Sequence, residues 1–177
     1  MSYTRAEFTI KYSPFIAKAV KGTGILVGTM LAQAILESQG KEGEVYKVGA
    51  SKLAREANNY FGIKCYGWSG KTYNIETNEY KPSGQKYTEK ACFRAYSSVE
   101  DSINDYVKVL KNNPRYEAAG VFKAKTVREQ AEALKKAGYA TALNYPSMVE
   151  GIYNGIKEHI TENIAAVTEF QVNFAKK

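Results

Sequence analysis

The stretch ILVGTMLAQAILES, Ile25 to Ser38, followed by Gln39 and Gly40, decides how the rest of the chain is read. Val27, Leu31, Ala34 and Ile35 recur at i, i+4, i+7 and i+8, the spacing of a helix face turned to a core. Leu26, Met30, Gln33 and Glu37 follow on a second edge, so Gln33 and Glu37 stand one turn apart. That edge is expected to form one wall of a cleft. Most glutamates occupy wet helix faces, where charge costs nothing. One at the end of so apolar a helix, followed by Ser38 and Gly40, is expected at the lip of the cleft. There its pKa rises enough to let it deliver a proton.

On the N-terminal side, Arg5 to Val20 reads as a helix despite Pro14, with Phe8, Phe15, Ile16 and Val20 inside, and Gly22 to Gly24 break it. On the C-terminal side, Ser51 is an N-cap for a short helix to Ala57. From Lys64 to Tyr96 helical periodicity gives way to Gly, Tyr, Thr and Lys. Turn signals at Gly67 to Gly70 and at Pro82-Ser83-Gly84 bracket two arms of an antiparallel hairpin, Tyr73 to Tyr80 and Gln85 to Tyr96. In an extended arm Ile75, Thr77 and Glu79 face one way and Glu76 and Asn78 the other, so only one of the two glutamates can face a cleft on one side. Ser97-x-x-Glu100 reads as a capping box for a helix striped by Val99, Ile103, Tyr106, Val107 and Leu110, ended at Asn112-Asn113-Pro114. Thr126-x-x-Glu129 opens another, with Val127, Ala131 and Leu134 inside and Gly138 as its stop. Pro146 suits the first turn of a last helix striped by Val149, Ile152, Ile156 and Ile160. The fold class is therefore α+β, mainly helical, with a small β-hairpin lobe. A single domain over 1–177 is expected, with 1–12 and 165–177 as terminal segments.

Composition narrows the chemistry. Fourteen Tyr, seven Phe and one Trp make 12% aromatic in 177 residues. Tyrosine joins a flat apolar face to a hydroxyl, which suits sugar rings; tiling of a groove wall is the plainer use. A net charge of +7 favours polyanions. The basic residues are spread out, and no helix-turn-helix, zinc-finger or aromatic RNA motif accompanies them, so no nucleic-acid partner is expected. The only histidine, His159, sits in the late amphipathic helix; neither a metal site nor a Ser-His-Asp triad is expected, and no cofactor. Cys65 and Cys92 flank the hairpin; buried thiols are favoured over a bond between them. Met1 to Lys11 lacks a leader's apolar region, and Gly24 to Leu36 is too short to span a bilayer. A monomer without stable membrane insertion is expected.

Two carboxylates across a groove are what glycoside hydrolysis uses, and Glu37 with Glu79 could supply them. The strings AQAILESQG (Ala32 to Gly40), S-x-LA-x-x-x-NNYFGIK (Ser51 to Lys64), ETNEY (Glu76 to Tyr80), FRAYSS-x-x-x-S-x-x-DY (Phe93 to Tyr106) and LKKAGYAT-x-x-NY (Leu134 to Tyr145) resemble the glucosaminidase domains of glycoside hydrolase family 73. These are peptidoglycan-cleaving N-acetylglucosaminidases. The resemblance runs from about Pro14 to Ile156 and implies a lysozyme-like fold acting at the cell wall or periplasm.

Carried over, it makes Glu37 the catalytic acid, Glu79 the second carboxylate in preference to Glu76, and Tyr139 a cleft tyrosine needed for activity. Asn59, Phe61 and Gly62 then line the substrate, with Gln33, Ser38, Trp68 and Tyr145 as further substrate contacts; for Trp68, packing under the hairpin is the alternative. Ala142 stands where the family commonly has Asp, which puts the shape of that loop in question. The implied activity is hydrolysis of the β-1,4 bond between N-acetylglucosamine and N-acetylmuramic acid in peptidoglycan glycan strands. Rival readings are a lytic transglycosylase, which makes an anhydro-muramic end, and an inactive wall-binding module.

Overall fold

A computed structural model describes residues 1–80 and 86–161, without the side chains of 77–80, 86, 87 and 89. Thr4 opens α1 (Arg5–Val20) with a capping box: its hydroxyl accepts from the Glu7 N–H, and the Glu7 carboxylate accepts from the Thr4 N–H. Phe8, Tyr12 and Ile16 make its buried stripe. Phe15, expected inside, is 37% exposed, because Tyr12 holds the stripe position one turn before Ile16.

α2 (Val27–Ser38) runs through the middle of the molecule. Every residue from Gly28 to Ile35 is buried, so this helix has no solvated face along most of its length. α1, α6 (Val127–Lys136) and α7 (Tyr145–Ile156) pack around it. Gly28 lets α7 come close: a Cβ there would lie 2.5 Å from the Tyr153 ring. The start of α2 is tied down by Gln130 of α6, wholly buried, whose Oε1 accepts from the Leu26 N–H while its Nε2 donates to the carbonyls of Gly24 and Val121. That satisfies backbone groups a helix start otherwise leaves unpaired.

Between α2 and the helix that begins at Val99 the chain turns to hairpins. β1 (Gly40–Glu42) and β2 (Val45–Lys47) form a short antiparallel pair that the sequence did not announce, since KEGEVYK lacks apolar alternation. α3 (Lys52–Ala57) is capped by Ser51 as expected. β3 (Thr72–Tyr80) pairs with β4 (Lys86–Arg94), from Thr72 opposite Arg94 to Tyr80 opposite Lys86. The second arm ends at Arg94, two residues before the expected Tyr96, whose N–H turns to the Ala57 carbonyl. Gln85 and the Pro82-Ser83-Gly84 turn lie outside the described residues.

Cys65 and Cys92 are joined in a disulfide, with Cα atoms 5.5 Å apart. The expectation of buried thiols is thus corrected. The backbone bonds from the Cys65 N–H to the Cys92 carbonyl and from the Arg94 N–H to the Ile63 carbonyl hold the two segments side by side.

α4 (Val99–Asn112) buries the expected stripe, but its cap is Ser98, accepting from the Asp101 N–H, one residue later than the Ser97 box. Pro114 does not merely end α4; it opens α5 (Pro114–Ala118), followed by a 3-10 turn, Val121–Lys123. Thr126 caps α6 by accepting from the Glu129 N–H. α7 ends at Ile156, and His159 sits exposed in a 3-10 turn beyond it, with Ile160 half-buried. Thr161 is tied to Ser13 through its N–H and its carbonyl. The expected terminal segment 165–177 lies outside the described residues. No helix among the described residues is long and apolar enough to cross a membrane.

Candidate active site

Glu37 occupies the last turn of α2, where the buried helix meets an opening. Its side chain is exposed by surface area, yet burial raises its pKa above the ordinary 4.5. Water reaches the residue, and nearby protein still makes its charged form costly. A Cβ on Gly62 would lie 3.7 Å from Glu37 Oε2, and Gly62 has φ of +67°, so both backbone and space favour glycine there. Tyr139 and Tyr145 both feel the Glu37 charge, which helps hold their phenols protonated behind the larger effect of burial. Among the described residues no hydrogen bond or ion pair reaches the Glu37 carboxylate. A helix C-terminus, the negative end of the peptide dipoles, disfavours the anion further. The arrangement suits a neutral carboxyl that can give up its proton.

Behind it stands a buried polar relay. Tyr106 of α4 donates to Gln33 Oε1 at 2.9 Å, and Gln33 Nε2 donates to the Tyr145 hydroxyl at 2.8 Å. Phe61 stacks on Tyr106, ring centres 4.2 Å apart, and its carbonyl accepts from the Tyr139 hydroxyl at 2.9 Å. Burial pushes the Tyr106 and Tyr139 phenols well above their usual range, so both stay protonated.

From Gly62 and Tyr139 a groove of about 790 Å³ extends along α4 and the start of α5. Its lining carries four cations (Lys64, Arg94, Lys108 and Arg115) against one carboxylate, Asp105. Arg94 and Asp105 are paired at 2.9 Å, and Asp105 also accepts from the Tyr96 hydroxyl.

The glucosaminidase profile, described as mannosyl-glycoprotein endo-beta-N-acetylglucosaminidase, matches residues 13–158. The chain belongs to the glucosaminidase family. Peptidoglycan hydrolase FlgJ of Salmonella typhimurium is 36% identical over 152 residues, 85% of this chain and 46% of that protein. Exo-glucosaminidase LytG of Bacillus subtilis is 34% identical over 133 residues, 72% of this chain and 43% of that one. The chain therefore spans less than half the length of these curated relatives. Among solved structures, the catalytic domain of the autolysin Auto from Listeria monocytogenes has a TM-score of 0.70 at 29% identity, covering 89% of this chain and 87% of that one. A glycoside hydrolase domain of Salmonella typhimurium FlgJ has a TM-score of 0.62 at 33% identity, covering 87% and 98%. The fold is the lysozyme-like one, mainly helical with a hairpin lobe.

In this glucosaminidase chain Glu37, Gly62 and Tyr139 come together at the opening. Five residues expected to touch substrate are buried. Gln33, Ser38, Asn59 and Tyr145 are buried at 0%, 0%, 0% and 2% exposure. Asn59 is a clamp for the FGIK turn: its Nδ2 donates to the Ile63 and Arg94 carbonyls and its Oδ1 accepts from the Ile63 N–H. Ser38 Oγ accepts from the Gly49 N–H. Phe61 is equally enclosed and contributes its carbonyl. Trp68 is half-buried: its Nε1–H donates to the Lys71 carbonyl, and its ring lies edge-on to Tyr96 with the Arg94 guanidinium 4.9 Å above it.

Glu79 pairs with Tyr87 in the hairpin register, and its side chain is outside the described residues. Glu76 is exposed and paired with Lys90 at 3.6 Å. Ala142 lies in the loop between α6 and α7, where its carbonyl accepts from the Tyr145 N–H. Tyr106 is visible in the sequence only as part of a core stripe, and the basic groove draws its residues from four separate segments.

Proposed function

We propose that this chain is a peptidoglycan endo-β-N-acetylglucosaminidase, hydrolysing the β-1,4 bond between N-acetylglucosamine and N-acetylmuramic acid. The observation that carries the reading is Glu37: an exposed residue beside Gly62 of the groove wall, its carboxyl kept toward its neutral form by burial, without a partner among the described residues. Family membership and the peptidoglycan hydrolases among its relatives support the substrate.

In the proposed reaction Glu37 gives its proton to the oxygen leaving with muramic acid as the C1–O bond breaks. Its anion then accepts a proton from the water that completes hydrolysis, or returns to the acid form through solvent. Glu79 is proposed as the second carboxylate, orienting water or the substrate's acetamido group; the ion pair of Glu76 with Lys90 argues against that neighbour. Tyr139 is proposed to shape the seat of Glu37 by pinning the Phe61 carbonyl, which fixes Gly62 beside the acid. Action at the cell wall or periplasm is supported by the disulfide, since such bonds persist outside reducing compartments.

The test is digestion of purified sacculi followed by muropeptide mass spectrometry. Reducing N-acetylglucosamine ends, with glycan strands shortening early, are expected from endo hydrolysis. Anhydro-muramic ends would instead make the chain a transglycosylase, and release of single sugars from strand ends would make it an exo enzyme.

A further inference from the structure

The groove beside Glu37 is more basic than a neutral sugar requires. N-Acetylglucosamine carries no charge. The muramic residue differs from it by a lactyl ether at O3, one carbon from the O4 that the proposed reaction would protonate. That ether ends in a carboxylate, or in an amide to a peptide with carboxylates of its own. A chain that protonates O4 therefore holds an anionic substituent within a few bonds of its acid.

The protein has a matching surface in the matching place. Arg115 is held by its own surroundings: its Nη2 donates to the Tyr116 hydroxyl at 2.8 Å, the guanidinium lies 4.8 Å from the Tyr116 ring centre, and its Nη1 would be 3.8 Å from a Cβ on Gly138. Gly138 precedes Tyr139, so this cation begins one residue from the acid's own wall. Lys64 closes the NNYFGIK segment two residues beyond Gly62, and Lys108 faces the groove from α4. None of the three has an ion pair among the described residues, and the one lining carboxylate, Asp105, is committed to Arg94 and Tyr96. A planar guanidinium and two ammonium groups along a concave wall are donors suited to carboxylates.

We propose that this groove is an anion subsite for the carboxylates carried by the O3-lactyl substituent of the muramic residue on the leaving-group side, with Lys64, Lys108 and Arg115 as its donors. It makes the chain select muramic-containing strands over uncharged polymers of N-acetylglucosamine. The inference rests on the glucosaminidase reading, so its test reads binding and does not require turnover.

Calorimetry with the Glu37→Gln chain would compare three soluble glycan fragments: one with stem peptides, one with peptides removed to leave the lactyl carboxylate, and one with all carboxylates amidated. The amidated fragment is expected to bind on the order of tenfold more weakly than the peptide-bearing one, each exposed cation contributing roughly two- to fivefold. A denuded fragment that keeps the affinity assigns the lactyl carboxylate; one that loses it assigns the stem. Adding Lys64→Gln, Lys108→Gln and Arg115→Gln together should erase the preference, and Lys108→Gln alone, at an exposed helix position, should halve it or more. Equal affinity for charged and amidated fragments would overturn the proposal. So would a preference untouched by these substitutions, or a poly(glycerol phosphate) chain that outcompetes the peptide-bearing fragment at this groove. Failure of the wild-type chain to cut sacculi would refute the glucosaminidase reading and leave the binding result standing by itself.

Discussion

Replacing both cysteines, Cys65→Ser with Cys92→Ser, removes a link between residues 27 apart in sequence. Closing a loop of that length in the unfolded chain corresponds to about 3.5 kcal/mol at 25 °C by the chain-entropy relation. Little of that should be offset or enlarged in the folded state. The segments stay side by side through the Cys65 N–H to Cys92 carbonyl and Arg94 N–H to Ile63 carbonyl bonds, and Arg94 also donates to the carbonyls of Lys64 and Tyr66. For a chain of this size the loss corresponds to a fall in Tm of roughly 7–14 °C. Thermal and urea unfolding of the oxidised wild type and the double serine variant would measure it, with thiol titration in denaturant confirming the bond. Because the groove wall keeps its hydrogen bonds, kcat/KM on sacculi should change by less than about threefold at 25 °C. A Tm within about 2 °C of wild type would refute the reasoning. Lost activity at unchanged Tm would refute it too, since the bond would then act on the site and not on the unfolded chain.

Other substitutions probe the acid and its seat. Glu37→Gln should cut lytic activity by roughly 10²- to 10⁴-fold with the fold intact, read as reducing ends released from sacculi. The sign of its pH effect follows from the raised pKa. A carboxyl harder to ionise when folded stabilises the fold fully below the unfolded value near 4.5 and loses that contribution as pH rises through the folded one. Glu37→Gln should therefore match the wild-type Tm at acid pH and exceed it near pH 8. Gln33→Leu leaves the Tyr106 and Tyr145 hydroxyls without their shared partner and should cost about 2–3 kcal/mol in urea unfolding. Gly62→Ala forces a side chain into positive φ at about 1–2 kcal/mol and places a methyl beside Glu37 Oε2, so kcat should fall by more than stability alone explains.

How much of this could be read beforehand depended on the kind of signal. α4 and α6 are strongly two-faced, so stripe and cap mark them, and the shift from Ser97 to Ser98 shows the usual softness of a boundary between two serines. α2 defeats the same method. A helix buried all round has no polar side to identify, and the edge taken as a cleft wall is a wall only at Glu37; Met30 and Gln33 are fully enclosed. Gln33 is polar because Tyr106 and Tyr145 need a partner, a fact that residues 73 and 112 positions away cannot disclose by spacing. Tyr12 carries a hydroxyl and gives no clear apolar signal, yet it lies inside at 3% exposure while Phe15 does not. Asn59 carried the right types of atom for a ligand and spends them on its own backbone. The disulfide required a distance, which arises only when Lys64 pairs with Phe93.

The openness of Glu37 and its raised pKa have one cause. Three kinds of group normally keep a carboxylate charged: a cation, a hydroxyl or amide that donates to it, and surrounding water. Arg94 is close at hand in the groove but is paired with Asp105, and the neighbouring hydroxyl of Tyr139 donates to the Phe61 carbonyl instead. Gly62 presents no side chain at all. Water alone is left, and a glycan bound over Glu37 would displace it. A sugar seated there would remove that last support for the anion and drive the proton onto the carboxyl at the moment an acceptor oxygen is placed against it. In the proposed reaction, proton donation and substrate entry would thus be coupled through solvent displacement, with no moving part required.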